Sequence, residues 1–275
     1  MTLAQLRQDW GCSSSGELSN GQHPRYLFRG TSRDHGNLQS TFARLSSDRA
    51  AYESHMLYKQ AQKVAGAMEG YRVQKLDALA VLQHYGWPSP LLDWTSSLEI
   101  AVWFALFHAK PMYDCLVYRI DLSKVPRDLL VFQNRDDEIL ASWQIPDAED
   151  KGLLLDHFFL THPLDSGGLK HRWLRQEGFA ITPAQFDLRE RVASFDLLKH
   201  PVAEAIEART FRHSRNDCSI ETPDLLSLDN DPIPRRLQEI IPLVVQPWLQ
   251  GPLCGDLRSI VENMDVPAVS TRVDT

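Results

Sequence analysis

"LLDWTSSLEIAVWFALFHAKP", residues 91–111, is the stretch on which the fold turns. Ile100 to Phe107 is apolar around the whole circumference of a helix, so that helix has to be buried, and Lys110-Pro111 stops it. Ser96 with Glu99 three residues later reads as a capping box. It places unpaired N–H groups and the positive end of the helix dipole beside Asp93, Thr95 and Ser96. A helix with no polar face needs a sheet to cover it.

Strands are available on both sides. In "YLFRG", residues 26–30, Tyr26, Leu27 and Phe28 have strand character, Gly30 stops the run, and Arg29 is driven to the strand end. "YDCLVYRIDL" (113–122) alternates like a strand and "DLLVF" (128–132) is a shorter candidate. "GLLLDHFFLTH" (152–162) fits strand or helix, and "HRWLRQEGFAITP" (171–183) ends in a short strand, Phe179 to Thr182. The expected architecture is a mixed α+β fold. Strands at 25–29, 113–122 and 178–182 share one strongly twisted sheet in a single domain, and the 97–109 helix is its buried support.

Two further helices are expected. Residues 47–69 place Tyr52, Met56, Lys59, Gln60 and Lys63 at helical spacing with one solvated face. From Tyr71 onward Val73, Leu76, Leu79, Ala80 and Leu82 share a helical face. Gly86 and Pro88 end it, so Gln83 and His84 fall in its last turn and point outward. Prolines interrupt 232–251, and no repeat or low-complexity linker divides the chain. The expected organisation is an extension over 1–21, a core over 22–185, a C-terminal extension packed on it over 186–260, and a frayed tail over 261–275.

Composition narrows the function classes. The chain has 275 residues, 43% of them hydrophobic, which is ample for a packed core. A net charge of -7 argues against a protein that works mainly by neutralising phosphate backbone, so nucleic acid is not the expected partner. Cys12, Cys115, Cys218 and Cys254 form no CxxC pair and read as reduced thiols of a cytoplasmic protein. No run of 18 apolar residues and no signal-like N-terminus occurs, so no membrane partner is expected, and delivery to another cell would need a route without a cleaved signal. His157, His162 and His171 lack a convincing third ligand, and no metal is expected.

The candidate chemistry gathers at element ends. An arginine fork beside the N–H groups and hydroxyls of a capped helix suits a pyrophosphate or another doubly charged group. Arg29 has an alternative role as the buried ion-pair partner of Asp93. Helix capping is a sufficient explanation for Thr95, Ser96 and Glu99. His84 is a base or a structural hydrogen-bonding histidine, and Trp94, Trp103, Phe104 and Phe107 are core or pocket wall.

"LFRG", then "LQHYGWPSPLLDWTSSLEIAVWFAL", then "RQEGFAI" resemble, in this order, the FRG domain, a bacterial family named for its Phe-Arg-Gly element. The resemblance spans roughly 22–185. One departure stands out: the family's usual Pro-Thr-Arg is here Pro88-Ser89-Pro90, so any role of that arginine is absent or moved. The layout is similar to the ADP-ribosyltransferase fold, with Arg29-Gly30, then Thr95-Ser96-Ser97 before the buried helix, then Gln176-Glu177-Gly178. It implies Arg29, Gly30, Asp93, Thr95 and Ser96 as cofactor-binding, with Glu177, Gln176 and His84 catalytic. The catalytic glutamate of the Q/E-x-E arrangement is missing, because glycine stands at 178.

Two function classes remain open. The resemblance implies an enzyme that uses NAD as substrate, transferring ADP-ribose to a macromolecular target or hydrolysing the cofactor, in the setting of a toxin or of phage defence. The alternative is a non-catalytic module that binds a small nucleotide or another phosphorylated ligand with the same arginine and helix terminus.

Overall fold

The structure, a computed structural model, describes residues 3–11, 18–19, 23–45, 79–80, 83, 89–107, 114–126, 128–133, 153–157, 176–183 and 194–211. Helix α1 is Leu3–Trp10 and helix α2 is Leu98–Phe107. The strands are β1 Leu18–Ser19, β2 His23–Pro24, β3 Tyr26–Thr31, β4 Leu92–Thr95, β5 Cys115–Asp121, β6 Leu130–Gln133, β7 Leu153–His157, β8 Gly178–Pro183 and β9 Ile206–Phe211. The expected helix over 47–69 lies outside the described residues. Of the one after Tyr71, Leu79, Ala80 and Gln83 are described, and all three are helical.

Strands β3 to β9 form one sheet in the order β6-β7-β8-β4-β3-β5-β9. Every neighbouring pair is antiparallel except β6 and β7, which are parallel, so the sheet is mixed and the fold is α+β. The three strands expected to share a sheet do so. The run at 152–162 is a strand where it is described. Two strands of this sheet went unread in the local sequence. β4 sits between β3 and β8 and was hidden in the approach to the helix, and β9 comes from the segment assigned to the C-terminal extension.

Strand alternation gives the sheet two different faces. Phe28, Cys115, Val117 and Phe211 turn to one face, where Leu3, Leu6 and Trp10 of α1 and Leu98, Ala101, Val102 and Ala105 of α2 cover them. Leu27, Leu92, Trp94, Tyr118, Ile120, Phe179 and Ile181 turn to the other, under Leu38, Phe195, Leu197, Val202 and Ala205. Asp196 ties that second cover down. Its Oδ1 accepts from the backbone N–H of Leu38 at 2.9 Å and of Leu198 at 3.1 Å.

Gly30 is not a strand stop. β3 continues through it to Thr31, with Gly30 paired to Val117. A Cβ at this position would stand 1.7 Å from the Ala101 carbonyl oxygen and 2.7 Å from the Ala105 nitrogen. Glycine is there because the α2 backbone lies directly on the strand. Arg29, one residue earlier, therefore belongs to the face away from α2, and its cross-strand partner is Tyr118.

Candidate functional site

The end of β4 and the start of α2 hold the first group of candidate residues. Helix α2 begins at Leu98, and the Ala101 N–H bonds the Ser97 carbonyl oxygen at 3.1 Å, so Ser97 is the N-cap. Its Oγ accepts from the Ile100 N–H at 3.3 Å. The expected capping box at Ser96 is thus displaced by one residue. Glu99 does not close a box either: its carboxylate pairs with Arg7 of α1, whose Nε donates to Oε1 at 2.9 Å. Thr95 steadies the turn, accepting from the Ser97 N–H at 3.1 Å and donating to the Gln176 carbonyl oxygen at 2.8 Å.

With Ser97 as the cap, Ser96 has a different partner. Its hydroxyl donates to Glu177 Oε2 at 2.7 Å, and its N–H bonds the Glu177 carbonyl oxygen at 3.1 Å. Glu177 is exposed and has φ 46°, the left-handed region that costs an ordinary side chain roughly 1 kcal/mol or more. It is the one non-glycine with positive φ among the described residues. Gln176, next to it, is buried. Ser96 and Glu177 form a fixed, solvent-facing pair, whereas Thr95 and Gln176 form the buried joint behind it.

Arg29 makes the second group. Its Nη1 donates to the main-chain carbonyl oxygen of Asp93, so the contact with Asp93 includes the backbone of β4. Part of the side chain reaches solvent, but Nε is buried and has no hydrogen-bond partner among the described residues. Burial pushes the Arg29 pKa down to about 10; Asp93 and Tyr118 oppose the shift and Arg44 adds to it. Asp93 itself is exposed and pairs with Ala180 of β8. Opposite Arg29, burial first and then Asp34 push the Tyr118 hydroxyl up from its ordinary range. Tyr118 escaped the sequence reading because alternation shows which residues share a face but not the register that joins β3 to β5.

His84 lies outside the described residues. Its neighbour Gln83, expected to point outward, is half-buried and accepts a hydrogen bond from the Ser89 hydroxyl. Ser89 is fully buried, and its Oγ accepts from the Leu91 N–H at 3.1 Å. Among the described residues no cluster of His, Cys, Asp and Glu could hold a metal ion, and no helix is long and apolar enough to cross a membrane.

The segment that carries β3, Ser89, β4 and α2 matches a known pattern: residues 24–113 fit the family model for the FRG domain. The chain carries an FRG domain. No curated protein and no solved structure matches it. The matched segment of the FRG domain supplies Arg29, Gly30, Asp93, Thr95 and Ser96, while Gln176 and Glu177 come from the turn before β8, beyond the match. Pro90 is buried, with its carbonyl oxygen accepting from the Thr182 hydroxyl at 3.3 Å.

Proposed function

We propose that the chain uses NAD as its substrate, as ADP-ribosyltransferases do, releasing nicotinamide and passing ADP-ribose to a macromolecular acceptor or to water. The observation that carries this reading is the exposed Glu177 carboxylate held by the Ser96 hydroxyl at 2.7 Å, at the strand ends where α2 begins. Breaking the nicotinamide–ribose bond leaves the electron pair on nicotinamide and positive charge on the ribose carbon. A fixed carboxylate lowers the energy of that charge. The acceptor oxygen or water then bonds to the same carbon and gives up its proton. In this scheme Arg29, Gly30, Asp93 and Thr95 bind the dinucleotide, and Gln176 and His84 assist Glu177. The reading extends to a bacterial toxin or phage-defence role in the cytoplasm, or in a second cell reached without a cleaved signal.

One observation favours a second reading, a module that binds a nucleotide or another phosphorylated ligand without turning it over. Gly178 occupies the position of the usual catalytic glutamate, and Gln176 is only 6% exposed. Nicotinamide release from NAD separates the two. The enzyme reading expects turnover by the wild type and a loss of about 100-fold or more in Glu177→Gln. ADP-ribose binding by calorimetry with no nicotinamide released would leave the binding module in its place.

A further inference from the structure

The sheet face away from α2 carries donor groups that neither strand pairing nor the core uses. Phe28 pairs with Thr95, so one step along the antiparallel ladder Arg29 comes beside Trp94, and Thr31 follows on the same side of β3. Arg29 Nε, Trp94 Nε1 and Thr31 Oγ1 are all buried without a hydrogen-bond partner among the described residues. Trp94 is 3% exposed, so solvent does not supply the missing bond. Folded proteins leave few such atoms, because a buried donor without a partner has given up its bond to water for nothing. Three on adjoining positions of one face point to a missing partner. The indole and the Nε–H can only donate, so that partner is an acceptor.

Arginines and carboxylates both surround this face, Asp93 and Asp34 among the latter, and the unpaired groups on it are donors. The Phe42 N–H bonds the Ser89 carbonyl oxygen at 3.3 Å, which fastens the 42–45 turn to the approach of β4. Burial first, and then Arg33, lowers the proton affinity of Arg44; burial also lowers that of Arg29, with Asp93 opposing and Arg44 adding to the shift. We propose that this face holds a recess for a phosphate or pyrophosphate group, in which Arg29 Nε, the Trp94 indole and the Thr31 hydroxyl donate to its oxygens and Arg33 and Arg44 sit at the rim. The recess deepens the NAD reading by naming what would hold the dinucleotide's phosphates, and rests on that reading only for the identity of the ligand.

Calorimetry of the full chain with inorganic pyrophosphate, and separately with ADP-ribose, tests it without reading turnover. The wild type is expected to bind both. Thr31→Val keeps the shape and removes one hydroxyl, and is expected to weaken both by about threefold to tenfold with a melting temperature unchanged or raised, because a buried unbonded hydroxyl is also lost. Trp94→Phe should weaken them similarly. A wild type that does not bind pyrophosphate, or a Thr31→Val variant that binds as the wild type does, overturns the recess. Turnover of NAD with either result would leave the enzyme reading standing. Pyrophosphate binding without turnover would leave the recess standing and remove the enzyme.

Discussion

Arg29 holds its charge against the preference of its surroundings. Its pKa of about 10 in the folded chain, lowered by burial from the ordinary arginine range, means that the protonated form is disfavoured by folding. Between those values the unfolded chain binds more protons, so this group's contribution to stability rises with pH there. Below pH 10 it is a constant penalty of about 2–3 kcal/mol, trimmed by the part of the side chain that reaches water. Arg29→Met should remove that penalty at the loss of the bond to the Asp93 carbonyl, for a net rise of about 2–6 °C in melting temperature and no response to pyrophosphate. A lower melt would show that Arg29 is structural. Arg29→Lys, which keeps the charge without the planar fork, should stay near the wild-type melt and lose about 30-fold or more in pyrophosphate affinity. Glu177→Gly makes the same separation at the other group. Glycine relieves φ 46° and should stabilise by about 1 kcal/mol, while nicotinamide release disappears. A penalty kept at both positions is what a site predicts and a purely structural role does not.

At the scale of elements, the two serines before α2 divide the work. Ser97→Ala deletes the N-cap and should destabilise by about 1 kcal/mol. Ser96→Ala should leave the melt within about 0.5 kcal/mol and instead free Glu177 from its anchor, which a fall in turnover would report. Equal melting of the two variants would put the cap back at Ser96. The helix itself was legible, because Ile100 to Phe107 has no polar face and must be covered. The alternation of 113–122 was legible for the same reason, since the period of apolar residues states what a segment buries. Which serine caps was not, because Ser96 and Ser97 both satisfy the local pattern and a glutamate 81 residues away selects between them. The short β4 was masked by its overlap with the helix signature. Gly30 was misread as a stop because nothing in "YLFRG" says that the Ala101 carbonyl will lie against it.

At the scale of the whole molecule, the FRG match and the folding unit differ in extent. Residues 24–113 carry β3, β4 and α2, but β3 pairs along its full length with β5, and β4 pairs along its full length with β8. Both partners lie after the match. Helix α1 lies before it and fills the α2 face with Leu3, Leu6 and Trp10, while Arg119 donates to the Trp10 carbonyl oxygen at 2.9 Å and stacks on the Trp10 and Tyr26 rings. A fragment of residues 24–113 would expose the β5 edge of β3 and the β8 edge of β4 and uncover Phe28, Trp94 and Val102, each worth roughly 1.5–3 kcal/mol when buried. That loss is comparable to the whole stability of a typical domain. The fragment is therefore expected to show no cooperative melt and little amide protection, where the full chain shows both. A fragment that melts cooperatively and keeps its β3 amides protected would mean that the segment folds alone. In that case the pairing with β5 and the docking of α1 would be additions to a complete unit, to which Thr95 and Ser96 tie Gln176 and Glu177.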